Sequence, residues 1–127
     1  MSTLGDLYAG RSETLRAERT YRDALEVKRD ATVLNNLAWL LSIHEGDPAR
    51  ATEAVALAEE AVTSLGADDF EALDTLAAAY AAAGRYGDAR RVGERALALA
   101  QAEDAALAPP LASRLALYRA DRPFRSE

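Results

Sequence analysis

One histidine, His44, stands beside Glu45 and Asp47, the residue types of a metal ligand set or of a general base with its orienting carboxylate. A zinc-type site needs three or four ligands held in fixed geometry. The stretch His44-Glu45-Gly46-Asp47-Pro48 offers one imidazole and two carboxylates on a turn-forming segment, which reads as a solvated loop. The chain contains no cysteine, so thiolate ligands, a thiol nucleophile and disulfides are excluded together. Paired carboxylates occur at Glu59-Glu60 and Asp68-Asp69. The first pair reads as a solvated helix face and the second as a helix cap, rather than as an acid and base flanking a substrate. Seven glycines are scattered singly, and none opens the G-x-x-x-x-G-K run that cradles phosphate. No catalytic residue, cofactor site or metal site is therefore assigned, and the chain is read as a non-enzyme.

The residues that remain to do work are charged and aromatic, and their distribution is uneven. Net charge is −6, from 15 basic and 21 acidic residues. Residues 1–44 are balanced with 6 of each sign, 45–74 carry 9 acids and Arg50 alone, and 75–127 carry 6 acids and 8 bases. An acidic balance argues against a nucleic-acid partner, since phosphate contacts require clustered cations. No apolar run approaches the roughly 18 residues of a membrane span. The opening MSTLGDLYAG has neither the basic region nor the apolar core of a secretory leader, so a cytoplasmic location is expected. Arginine outnumbers lysine 14 to 1, the usage of a GC-rich bacterial source.

The elements that position these groups are helices. Of 127 residues, 30 are Ala and 18 Leu, while Val, Ile and aromatic residues are scarce, a composition that favours helix over strand. At this length one domain with its own core is expected. Breaks at Gly10, around 44–48, at Gly66, at Gly84-Arg85-Tyr86-Gly87 and at Pro109-Pro110, with a further boundary at about 30/31, divide the chain into about seven helices with short connections. Asp47-Pro48 and Asp69 read as helix starts.

The helices repeat. Met1-x-x-Leu4-Gly5-x-x-Tyr8, Leu34-x-x-Leu37-Ala38-x-x-Leu41 and Leu73-x-x-Leu76-Ala77-x-x-Tyr80 share one large-large-small-large spacing. Each is followed by a second helix: Ala17-x3-Tyr21-x2-Ala24, Ala54-x3-Ala58-x2-Ala61 and Ala89-x3-Gly93-x2-Ala96. Small residues let two backbones approach, and the large ones fill the grooves around the crossing. This pattern resembles the tetratricopeptide repeat family, whose units read W-x2-L-G-x2-Y, then A-x3-F. No unit here has the leading tryptophan or the closing proline, and the second has a longer turn. The resemblance implies an all-α, right-handed superhelical array in a single domain, with repeats at about 1–30, 31–66 and 67–106. A capping helix and tail at 107–127 complete it, with Leu111, Leu115 and Tyr118 on the apolar face and Ser113 and Arg114 opposite.

In that family the first helix of each pair lines a concave surface, which implies a protein-interaction scaffold binding a partner peptide or protein segment. Positions left open by the packing pattern are Asp6, Asn35, Asn36, Trp39, Ser42, Glu71, Asp74, Thr75 and Ala78. None of the three first helices carries Lys or Arg, so the groove is expected to be non-basic and to favour basic or neutral partners, without nucleic acid, membrane or cofactor. Asn35 and Asn36 are candidates to hydrogen-bond a partner backbone, and Trp39 to anchor it. The tail arginines Arg114, Arg119, Arg122 and Arg125, with Phe124, are expected to dock on an acidic surface of this chain or a neighbour. The alternative expectation is a terminal spacer or self-association module of a larger bacterial protein, such as a regulatory appendage of an enzyme. Met1 already occupies a motif position, so the first helix is uncapped, and a homo-oligomer would form through it at Leu4 and Tyr8.

Overall fold

The computed structural model describes residues 4–44 and 48–125, with side chains from residue 12 onward. Among the described residues the chain is all-helical and contains no strand. The α-helices are α1 (Leu4–Val27), α2 (Ala31–Ile43), α3 (Pro48–Leu65), α4 (Phe70–Ala82), α5 (Tyr86–Glu103) and α6 (Ala108–Arg119), with one 3-10 turn at Ala105–Leu107. That makes six α-helices where the punctuation predicts about seven. The difference is Gly10, which lies inside α1 instead of ending a helix. A lone glycine costs a helix interior about 1 kcal/mol, too little to break it without a competing turn.

Starts and stops elsewhere follow the local chemistry. The Asp30 carboxylate accepts from the Thr32 and Val33 amides at 2.9 and 3.2 Å and starts α2. Asp69 does the same for α4 through the Ala72 amide at 3.0 Å. Pro48 begins α3, and Pro109 and Pro110 sit in the first turn of α6, where a missing amide costs nothing. Asp47, read as a cap, lies outside the described residues. Helix α4 ends at Gly84, in the left-handed region (φ 78°), where the Arg85 amide reaches back to the Tyr80 carbonyl at 2.8 Å.

Helix α2 packs on α3 and α4 on α5; α4 also lies against both α2 and α3, α6 covers α5, and α1 rests on α2. The repeat positions make these contacts. Leu34, Leu37, Ala38 and Leu41 of α2 and Leu73, Leu76, Ala77 and Tyr80 of α4 are buried. So are the small residues facing them, Ala54, Ala58 and Ala61 of α3 and Ala89, Gly93 and Ala96 of α5. Burying one leucine contributes roughly 2 kcal/mol, so these two layers carry most of the apolar stabilisation. A Cβ on Gly93 would lie 3.2 Å from Leu115 Cδ1, 3.6 Å from Tyr118 Cδ2 and 3.8 Å from the Ala77 methyl. Three helices thus converge on a position that only the smallest side chains fit. In α1 the corresponding Ala17, Tyr21 and Ala24 are only half-buried.

Candidate functional site

The predicted groove residues fall on α2 and α4, but they are not equally open. Asn35, Asn36 and Trp39 are half-buried, and Glu71 is exposed. Ser42, Thr75 and Ala78, expected on the open face, are buried. Ser42 turns its hydroxyl inward to donate to the Ala38 carbonyl at 2.6 Å. Thr75 and Ala78 lie on a helix that packs against α2, α3 and α5 at once, which leaves little of its surface to solvent. The side chain of Asp6 lies outside the described residues.

What closes over this face comes from the C-terminal end. The Arg114 guanidinium donates to both oxygens of Asp74, Nε at 3.1 Å and Nη2 at 2.7 Å, and the two side chains are 14% and 15% exposed. The same guanidinium lies 5.2 Å from the Trp39 ring centre and 5.4 Å from that of Phe124, while the two rings are 5.7 Å apart. Two aromatic rings and one cation therefore form a triangular cluster, with cation–π attraction from the arginine to each ring. Burial pushes the Asp74 carboxyl above its usual range, and the hydrogen bonds from Arg114 only partly offset this. Tyr118 nearby is 1% exposed; burial, with the Asp74 charge second, drives its phenol further from ionisation. Its hydroxyl and Asn35 Oδ1 are buried without a hydrogen-bond partner among the described residues.

Arg114 corrects the expected polarity of the capping helix. It is expected opposite the apolar stripe with Ser113, yet of the two only Ser113 is exposed. At 100° per residue Arg114 falls about 60° from Leu111 and about 40° from Tyr118, on the flank of the stripe and not opposite it. That spacing is legible in the sequence. The partner is not, because Asp74 is 40 residues away.

Beyond α6 the chain reverses. Asp121 adopts φ 56°, its amide donates to the Tyr118 carbonyl at 3.1 Å, and the Arg122 amide to the Leu117 carbonyl at 2.9 Å. This is the double-bonded helix stop seen at Gly84, made with an aspartate whose carboxylate is held by Arg90 at 2.9 Å. The turn aims residues 122–125, which are not helical, across α2. Phe124 reaches Trp39, and Arg125 Nη1 donates to the Ser42 carbonyl at 2.6 Å. Ser42 lies in the last turn of α2, where carbonyls lack intrahelical partners and the helix dipole is negative. No basic residue of α2 occupies that turn, and Arg125 supplies the cation from 83 residues away. Of the four tail arginines expected to dock, Arg114 meets Asp74 of α4 and Arg125 a main-chain carbonyl of α2, whereas Arg119 lies 3.9 Å from Glu94 of α5 and Arg122 is exposed.

The opposite flank is built differently. Arg22 of α1 pairs with both oxygens of Glu53 of α3 at 2.7 and 2.9 Å and with Glu18 at 3.0 Å. Arg50 reaches Glu18 at 2.6 Å, and Arg29 binds Glu60 at 2.8 and 2.9 Å. Two of these contacts share one sequence offset, so α1 and α3 run in parallel with charged pairs two turns apart. The Arg50 hydrogen bond first, then Arg22, holds the Glu18 carboxyl below its usual value; Arg22 does the same for Glu53. Arg22, Arg29 and Glu53 also line an open surface depression of about 350 Å³, together with Leu25, Leu37 and Leu57.

His44 ends α2 and is half-buried, not a freely solvated loop residue. Burial, aided by the Arg50 charge, lowers its pKa. Glu45 and Asp47 lie outside the described residues, and among those described no three His, Asp or Glu side chains are grouped to hold a metal ion. No helix among them is long and apolar enough to cross a membrane. No protein-family model, curated protein or solved structure matches the chain.

Proposed function

We propose that the chain is a protein–protein interaction scaffold, a superhelical array of tetratricopeptide-like helix pairs that receives a partner segment on the face of α2 and α4. The observation that carries this reading is the non-helical stretch 122–125, which already lies across that face through one ring contact and one hydrogen bond to a main-chain carbonyl. A surface that seats one segment in this way can seat another in its place. The identical burial of the repeat positions in α2 and α4, and of the small positions in α3 and α5, supports the array. The helices of the face contribute no cation of their own; the positive charge there comes from α6 and the tail. Exposed Glu71 and the negative C-terminal end of α2 favour basic or neutral segments, with a modest, salt-sensitive electrostatic contribution.

The test is affinity capture with the wild-type chain and with Asn36→Ala plus Trp39→Ala, both shown to be folded by circular dichroism. Loss of the captured protein in the double variant is the expected result. Undiminished capture would move the interface to the convex side or to the ends.

A specific observation favours a second reading, self-association through the N-terminal helix. Leu15 and Val27 of α1 are 62% and 89% exposed, and α1 rests chiefly on α2 and on ion pairs to α3. Sedimentation velocity separates the readings: a dimer that Leu15→Glu converts to monomer supports self-association, and a monomeric wild type discards it.

A further inference from the structure

We propose that the face of α2 and α4 recognises an extended segment bearing an aromatic ring followed by an arginine, and that Arg122-Pro123-Phe124-Arg125 is a tethered copy of that ligand which an incoming segment must displace. This rests on the scaffold reading above and adds the chemistry of the partner and its regulation.

Each element of the resident segment has a defined receptor. The Phe124 ring meets Trp39 at 5.7 Å and the Arg114 guanidinium at 5.4 Å, so its slot has one aromatic and one cationic wall. Asp74 holds that cationic wall in place. One residue on, Arg125 ends at the Ser42 carbonyl, 2.6 Å from an acceptor on the negative end of α2. A lysine reaches such an acceptor as a point charge, and a guanidinium adds planar donors that suit the shallow carbonyl edge. Pro123 fixes φ and holds Arg122 extended, which reduces the entropy lost when the segment lies down. Arg122 itself is exposed and contributes only its amide to the turn.

The segment is also built to leave. Helix α6 is anchored independently, by Leu111, Leu115 and Tyr118 in the core and by Arg114 on Asp74. The turn at Asp121 closes on amides up to residue 122. Residues 123–125 can therefore lift while the cap stays seated, exposing Trp39, the Arg114 edge and the Ser42 carbonyl together. As a tethered ligand the segment acts at an effective concentration near the millimolar range, so it suppresses weak competitors and yields to tight ones.

The probe is a fluorescein-labelled peptide of residues 120–127, titrated by anisotropy into three chains: wild type, a chain ending at Arg122, and the full chain with Phe124→Ala and Arg125→Ala. The two opened chains are expected to bind it at least tenfold more tightly than wild type. Trp39→Ala in the shortened chain, or alanine at the Phe position of the peptide, should remove binding. Equal affinity for wild type and both opened chains overturns the gate, as does binding that ignores Trp39→Ala. Should the shortened chain unfold, the double variant decides; if both unfold, the segment is a structural strap and the proposal fails. The two readings fail separately. Partner capture that depends on Trp39 while the peptide ignores tail removal refutes the gate alone. Peptide binding that follows the tail while partner capture ignores Trp39 refutes the scaffold reading alone.

Discussion

At the C-terminal end, α6 buries Leu111, Leu115 and Tyr118, and its one inward charge, Arg114, meets Asp74 with both side chains about 15% exposed. At the N-terminal end, Leu25 is the one buried residue among the described side chains of α1, and residues 18–29 meet α3 through carboxylate–guanidinium pairs, of which Arg29–Glu60 is 55% and 41% exposed. The bidentate geometry is the same in both places, and the surroundings are not. Where the pair is shielded, neither charge has water to fall back on, so losing one partner is costly. Where it faces solvent, water replaces the partner at little cost. The two ends also titrate in opposite senses: Asp74 is pushed up by burial, whereas Glu18 and Glu53 are drawn down by their arginines.

The largest effect that would sharpen this contrast is Arg114→Ala. It strands the Asp74 carboxylate and should cost about 2–4 kcal/mol in urea unfolding, while Asp74→Leu with Arg114→Met should lie within about 1 kcal/mol of wild type. A double variant as unstable as the single one would show that the loss is packing, not charge. Next comes crowding at the small positions. Gly93→Val must push against Leu115 and Tyr118 and should cost about 2 kcal/mol, whereas Ala24→Val in half-buried α1 should cost less than about 0.5 kcal/mol. Equal penalties at the two sites would break the comparison.

Acid should separate the ends without mutation. Glu18 and Glu53 have folded pKa values below their ordinary 4.5, so the stability they provide is complete above that value and is lost as pH falls through the depressed ones. Asp74 runs the other way. Its folded pKa lies above 3.8, so its contribution improves as pH falls from the folded value toward the ordinary one. Hydrogen exchange at pH 5 and pH 3.5 should therefore show α1 amides losing protection before those of α6. Simultaneous loss would contradict the assignment. The smallest effects are single surface changes: Arg22→Ala should cost about 1 kcal/mol through its two partners, and Arg29→Ala should leave the melting temperature unchanged.

Much of the fold is legible in the residue spacing, because burial at a helix crossing is a local demand. The positions Leu34, Leu37, Ala38 and Leu41, and their counterparts in α4, can be read off directly. The α1 boundary is not, since Gly10 weakens a helix without supplying anything better for the chain to do. Of the candidate face, Trp39, Asn35, Asn36 and Asp74 could be located from periodicity. Ser42, Thr75 and Ala78 could not be judged open or closed, because whether a helix face is covered depends on elements far along the chain. Asp121 hides for a related reason: its left-handed turn is a glycine's usual place, and nothing in its neighbours announces the Arg90 contact that holds it.

The long reach of the Arg125–Ser42 contact has a consequence for synthesis. At about 5–20 residues per second, the ribosome delivers Arg125 some 4–17 s after Ser42. Helices α2 to α4 can pair within microseconds to milliseconds of emerging, so the layer bearing Trp39 and Asp74 is complete well before its cover exists. Every newly made molecule therefore passes through an interval with this face bare. A partner present at the ribosome would meet it with no tail to displace.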